Sequence, residues 1–286
     1  EVKRRMAPSV ETDPAAEITV NRLTVTANPK VNGEYWYEIT ATDGLHRSQP
    51  HHLFGRAFTP ALGRDDARAL VLYRFDEGKG DIVHDRSAIG KPLDITIPEG
   101  TLTRWVPGQG LTQQGVQPMM TVNSAEKLMA IAQTKQCTIE AWLSTDTVYP
   151  PTGWMGCMFA WEADQTRRNF ALGHQSTALV FAPPAAPLVG GDQRNLVTQG
   201  FRTSLQHYVI TWDGTTTRSY FNGVKQAERA VAWQPEKWVK DYPLLVGNQV
   251  DLSRAYLGTY YLLAIHDRCL TEADVTRHYD AGPSAR

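Results

Sequence analysis

From about residue 65 onward, apolar positions recur in short alternating runs, broken by glycine, proline, asparagine and aspartate. That spacing predicts an all-β domain, because successive side chains of a strand point to opposite faces and turn residues mark each reversal. Strands are expected at 69–75, 81–84, 92–97, 103–106, 116–121, 137–144, 154–161, 169–173, 177–181, 206–212, 217–221, 243–247 and 256–266. In Thr138-Ile139-Glu140-Ala141-Trp142-Leu143 the alternation places Ile139, Ala141 and Leu143 on one face, and Glu140 and Trp142 on the other. Tyr208–Trp212 and Tyr261–Ile265 are apolar on both faces and are expected as central strands covered on both sides.

Local signals refine this outline. Asn123 is placed to cap a helix over 124–133, with Glu126 completing a capping box, and Thr271 with Asp274 does the same for 272–280. Asn222-Gly223 and Asp213-Gly214 each read as a two-residue hairpin turn with positive φ at both positions. Gly78 and Gly80 supply tight-turn geometry after Phe75. The prolines of Phe181-Ala182-Pro183-Pro184-Ala185-Ala186-Pro187 exclude an inner strand and predict an exposed loop.

The N-terminal part is organised differently. Residues 1–16 are polar and Pro/Ala-rich and read as a tail. Ile18–Thr26 and Glu34–Thr42 read as the two strands of a hairpin, too small to be stable alone, so residues 17–64 are expected as an extension docked on a main domain spanning 65–286. The chain opens Glu1-Val2-Lys3-Arg4-Arg5, which is compatible with a processed product that has lost a signal or membrane anchor. No apolar run reaches the ~18 residues of a membrane span.

Composition narrows the function classes. Of 286 residues 42% are hydrophobic and 21% charged, enough for a sizeable core, and the net charge of −1 lacks the basic footprint of a nucleic-acid partner. Cys137, Cys157 and Cys269 have no zinc-site spacing. If the strands begun by Cys137 and followed by Cys269 pair antiparallel, their ends meet and a Cys137–Cys269 disulfide can form. No Gly-x-Ser-x-Gly elbow occurs, and Gly108-Gln109-Gly110 opens neither a dinucleotide fingerprint nor a phosphate loop. His51-His52 are adjacent, so on a strand they diverge and share no metal.

Seven segments, taken in order, carry a resemblance. They are Leu72–Gly80, Val83–Gly90, Thr138–Trp142, Arg168–Gly173, His207–Gly214, Tyr220–Val224 and Leu263–Thr271. Over about 65–282 the chain resembles the LamG-like (laminin G-like) domains of the concanavalin A-like lectin/glucanase superfamily, in the form common in secreted bacterial proteins. The resemblance implies a two-sheet antiparallel jelly-roll sandwich outside the cytoplasm. It also implies a partner that is a glycan or a protein, sometimes bound with calcium.

Related superfamily members are glycoside hydrolases, which need two carboxylates flanking the scissile bond. The nearest match, Glu162-Ala163-Asp164-Gln165-Thr166-Arg167, has Arg167 where a third carboxylate belongs. Glu162 and Asp164 would share a face if both lay on the strand. No required cofactor is expected. Calcium would draw on loop acids such as Asp76, Asp85, Asp164, Asp192, Asp213 and Asp267, with Asp85 and Asp267 falling in the family's own segments. The alternative for these acids is turn hydrogen bonding or pairing with Arg86 and Arg268. Ligand-binding candidates are Trp161, Asp164, Arg168 and Asn169, where a guanidinium and an amide lie beside aromatic rings; for Arg168 and Asn169 a buried pair that stitches the strand start is the preferred reading. Tyr35, Trp36 and Tyr37 are candidates for docking a protein partner. Three readings follow: a non-catalytic lectin-like binding module using its edge loops, an accessory subunit of a larger extracellular or membrane-associated assembly, and a glycosidase lacking part of its carboxylate set.

Overall fold

The computed structural model describes residues 2–6, 17–20, 25–28, 33–39, 49, 51–57, 63–106, 110–150, 155–164, 166–183, 196–231 and 233–284; for the strands before residue 58 and for residues 196–197 it describes the backbone alone. The chain divides into a small unit, Glu1–Gly63 with Asp280–Arg286, and a large unit, Arg64–Tyr279.

In the small unit, β1 (Val2–Met6), β4 (Gly33–Ile39) and β5 (His51–Ala57) form an antiparallel sheet in the order β1-β4-β5. A separate hairpin joins β2 (Glu17–Val20) to β3 (Val25–Asn28). Two expectations change here. Val2–Met6, inside the expected tail, is a strand paired with β4. The runs expected to pair with each other belong to different sheets, because Ile18–Thr26 contains its own reversal.

The large unit is a sandwich of two antiparallel sheets. The first sheet runs β19 (Val224–Ala230), β18 (Thr216–Phe221), β17 (Gln206–Trp212), β12 (Cys137–Thr145), β21 (Gly258–His266), β10 (Leu111–Gln113), β9 (Thr103–Trp105), with β6 (Ala69–Tyr73) also paired to β21. The second runs β16 (Leu196–Gln199), β15 (Ala178–Ala182), β14 (Arg168–Gln175), β13 (Gly156–Glu162), β20 (Leu244–Val246), β11 (Met119–Thr121), β8 (Ile95–Thr96), β7 (Ile82–Val83). As the alternation requires, Ile139, Ala141 and Leu143 enter the core between the sheets. Tyr208, Ile210 and Trp212 join them from β17, facing Phe159, Trp161, Phe170, Leu172, Leu244 and Val246 of the second sheet. The segment after β19 contributes Trp233, stacked on Trp212 at 5.0 Å and 3°, and Trp238, edge-on to Trp161 at 5.3 Å. Buried indoles need partners for their N–H groups; those of Trp212, Trp233 and Trp161 donate to the Val231 carbonyl, the Thr217 hydroxyl and the Tyr242 carbonyl.

One helix follows its local signal and the other departs from it. α2 (Glu272–Ala281) carries the expected capping box: the Asp274 amide donates to the Thr271 hydroxyl at 3.2 Å, and the Thr271 amide to the Asp274 carboxylate at 3.1 Å. The 124–133 segment is instead a 3-10 turn, Glu126–Met129, followed by α1 (Ala130–Thr134), and no side chain caps either start. Asn222 and Gly223 both have positive φ, as their hairpin demands, whereas at Asp213-Gly214 only Gly214 does. The Asp213 carboxylate holds that loop by accepting from the Thr215 and Thr216 amides and from Arg218. Phe181 and Ala182 end β15, which lies between β14 and β16; the proline-rich residues 184–187 lie outside the described residues.

Glycines separate sharply by surroundings. Gly247, which ends β20, has φ +88, and a Cβ there would lie 1.7 Å from Oε1 of the buried Gln113 side chain; Gly78, φ +72, faces open space. Gly78→Ala is expected to cost about 1–2 kcal/mol, the intrinsic penalty of the left-handed region. Gly247→Ala adds a backbone-to-core clash and is expected to cost at least about twice as much. Urea unfolding of the two variants checks the order.

Candidate functional site

The outer face of the first sheet is built around a carboxylate with no access to water. Glu140, the outward residue at the middle of β12, is fully buried. The Arg64 guanidinium forks onto it, Nη1 to Oε1 at 2.7 Å and Nη2 to Oε2 at 2.8 Å. His207 Nε2 lies 2.8 Å from Oε1, His278 Nδ1 3.0 Å from Oε2, and His266 Nε2 3.7 Å from Oε2. His278 Nε2 accepts the Asp65 amide at 3.1 Å, so the proton of a neutral His278 ring sits on Nδ1 and points at Glu140. Burial alone would raise the Glu140 pKa, but the charge and hydrogen bonds of Arg64 outweigh it and hold the group well below the usual carboxylate range. Burial pushes His207 down, which keeps it neutral. Arg64 continues to Asp66, and Asp66 to Arg74. Beside the cluster, Trp142 stacks on His207 at 4.6 Å and on Tyr279 at 5.8 Å and 2°. The arrangement is sealed, and its chemistry is that of a clasp.

The outer face of the second sheet is different. Cys157, Ala160, Ala171, Val180, Ala182 and Leu245 form a small buried apolar layer there, and Glu162 ends the row. Gln249 Nε2 donates to Glu162 Oε1 at 2.5 Å, and Oε2 has no hydrogen-bond partner among the described residues. Burial raises the Glu162 pKa to about 7, against the opposing hydrogen bond of Gln249 and the charges of Arg168 and Arg254. Gln249 belongs to a loop held from within. Asn248 Oδ1 accepts the amides of Gln249 and Arg254, and Asn248 Nδ2 donates to the Val116 carbonyl. The loop turns at Leu252, φ 62, and presents Val250, 49% exposed, together with Asp251.

The sequence candidates fall into place around these features. Trp161 is a core residue and Asn169 is a latch, donating to the Val239 carbonyl and accepting the Val239 amide. Arg168 is buried at the start of β14, close enough for its charge to act on Glu162. Asp164 does not share a face with Glu162: β13 ends at Glu162 after a bulge, and Asp164 sits in the turn, where it accepts from Thr166 and Arg167. These bonds hold Asp164 well below the ordinary carboxylate range. Tyr35, Trp36 and Tyr37 lie on β4, and His51 and His52 on β5; their side chains lie outside the described residues, as does Asp192.

Each candidate for metal or disulfide has its own neighbours in the structure. Asp85 and Asp267 each hold a basic side chain, Lys127 and Arg68 respectively. Asp76 pairs with Arg86, and Arg268 with Asp65. Among the described residues no group of three or more His, Cys, Asp or Glu side chains is arranged to hold a metal ion. The ends of β12 and β21 do meet, with Thr138 Oγ1 bonded to the Arg268 carbonyl and the Leu270 amide, but Cys137 and Cys269 are free thiols. Cys137 points into the core, whereas Cys269 lies near Thr211 and Arg218 on the outer side of the sheet. Arg64, His278 and Gln249 fall outside the seven segments, and His207 and His266 fall inside them without being site candidates; only the outward place of Glu140 in an apolar strand signalled the clasp.

A sandwich of two antiparallel sheets with few short helices defines a lectin-like binding fold. Residues 117–276 match Laminin_G_3 of the concanavalin A-like lectin/glucanases superfamily, and the chain belongs to that family. No curated protein sequence is similar enough to count as a relative. Among solved structures, the crystal structure of HCR/D-Sa-GBL1/C is 12% identical with a TM-score of 0.57, covering 76% of this chain and 52% of that one. The binding domain of botulinum neurotoxin DC, solved with rat synaptotagmin II and with SialylT, is 10% identical with a TM-score of 0.53, covering 76% and 52%. The binding domain of Paraclostridial Mosquitocidal Protein 1 is 13% identical with a TM-score of 0.51, covering 75% and 52%. The chain thus spans about half the length of these structures, and at such identities the likeness is one of fold. No helix among the described residues is long and apolar enough to cross a membrane.

Two predictions follow from the buried carboxyls. Glu140→Gln removes the charge that answers Arg64 and is expected to cost roughly 3–5 kcal/mol in urea unfolding, as for other broken buried pairs. Glu162 behaves oppositely. Its folded pKa of about 7 lies above the ordinary 4.5, so the stability it contributes is full below pH 4.5 and is lost as pH rises to about 7. Glu162→Gln keeps an acceptor for Gln249, and it is expected to raise the melting temperature at pH 8 and to flatten its pH dependence between about 4.5 and 7.

Proposed function

We propose that this chain is a non-catalytic binding module, acting outside the cytoplasm, that recognises a glycan or protein partner through loops at the rim of the sandwich. The observation that carries this reading is the Asn248–Arg254 loop. It is fixed by Asn248 and by the Gln249–Glu162 bond, and it holds Val250 and Asp251 at the surface. A loop ordered before binding loses little conformational freedom when it binds. The binding domains of similar fold, solved with synaptotagmin and with SialylT, support a partner of either kind. The carboxylate pattern supports a non-catalytic role: Asp164 is spent on its own turn, and Glu162 Oε1 is taken up by Gln249. Calcium has no part in this reading.

The test is direct. A glycan array probed with the protein, in EDTA and in calcium, is expected to give a discrete set of hits unchanged by the metal. If no glycan binds, size-exclusion chromatography of native material is expected to show stoichiometric co-elution with defined partner chains. Val250→Glu with Asp251→Lys is expected to weaken either interaction at least about tenfold while leaving the melting temperature within about 2 °C. Turnover of a glycan, or binding indifferent to the double variant, would overturn the proposal.

A further inference from the structure

The side chain of Lys127 ends inside a site made of oxygen atoms. Its ammonium donates to Asp85 Oδ2, to Ser87 Oγ at 3.1 Å and to the Ile89 carbonyl at 3.3 Å. An ammonium has three N–H donors and no acceptor, so each donor has one oxygen. The oxygens are held independently of the lysine. Asp85 accepts the amides of Leu72 and Ser87 on Oδ1 and that of Leu93 on Oδ2. Ser87 Oγ donates to the Leu70 carbonyl, leaving its lone pairs for the cation. The site is nearly closed, with the Asp85 side chain fully buried and that of Lys127 11% exposed. A groove of about 480 Å³, lined by Lys91, Leu93, Asn123 and Lys127 among others, gives solvent access along the lysine.

A carboxylate oxygen, a hydroxyl and a backbone carbonyl on one loop are the ligand types that hold a hard cation. Calcium, however, takes six to eight oxygens, twice what this loop supplies to the ammonium. We propose that residues 85–93 form a primary-ammonium site, that Lys127 is its built-in ligand, and that this loop is organised without a metal ion. The 3-10 turn carrying Lys127 is thereby tied to the loop between β7 and β8 and to β6, through a side chain 42 residues from Asp85.

Chemical rescue tests the assignment. Melting temperatures would be measured for the wild-type chain and Lys127→Ala at constant ionic strength, in methylammonium, tetramethylammonium or calcium chloride, or with EDTA. The wild type is expected to move by less than about 1 °C across all four. Lys127→Ala is expected to lose about 5–10 °C and to recover at least about half of it, saturably, with methylammonium; tetramethylammonium, which has no N–H donor, is expected to restore nothing. Lys127→Met, which fills the channel without charge, is expected to stay low in every salt. If Lys127→Ala does not fold in plain buffer, its refolding yield from urea in each salt reads the same comparison. Calcium stabilisation of the wild type, calcium rescue of Lys127→Ala without methylammonium rescue, or no response of melting or refolding to methylammonium would each overturn the proposal.

Discussion

A carboxylate with no path to water must be neutralised where it stands, and Glu140 sets that demand at the centre of the first sheet. The β12 strand that carries it is flanked by β17 and β21, which bring His207 and His266 to its sides. What the sheet cannot supply is a full positive charge. Arg64 brings it from the first residue of the large unit, and His278 adds a ring nitrogen from the last turn of α2. The single charge therefore recruits both ends of the unit, and the Trp142–Tyr279 stack closes over the same spot. An apolar residue at 140 could pack there, but it would leave the buried Arg64 guanidinium with Asp66 as its one remaining carboxylate among the described residues.

The two outer faces divide the labour. On the first sheet, Val209 and Tyr220 meet Leu270 and Val275, so the helix is part of the fold's interior. On the second, small side chains such as Ala160, Ala171 and Ala182 keep the layer low, and Glu162 and Gln249 steer the loop at its margin. A loop steered by a buried polar pair is specified in position more tightly than one held by apolar contact, because a displaced donor or acceptor is left unpaired.

Much of the fold was legible because it rests on local rules. The 206–212 strand, the Ile139/Ala141/Leu143 alternation and the Thr271–Asp274 cap all emerge from spacing within a few residues. What escaped had no local signature. β19 lies at the edge of its sheet with little buried, so Val224–Ala230 shows no alternation to read. The partners of Glu140 are 76, 67 and 138 residues away in Arg64, His207 and His278, and only the tertiary fold assembles them. Asp85 was legible as a loop acid with something to hold, but its identity as the partner of Lys127 was not, for the same reason. Asp164 misled because strand geometry was extended past a bulge that ends β13. The proposed binding surface is the least legible part, since exposure of Val250 and Asp251 follows from how Asn248 folds the backbone and not from their own type.

Because the Asp65 amide and the His278 ring are in hydrogen-bond contact, the chain enters and leaves the sandwich at one point. In architectural terms the two ends of the large unit are neighbours, an arrangement that tolerates circular permutation.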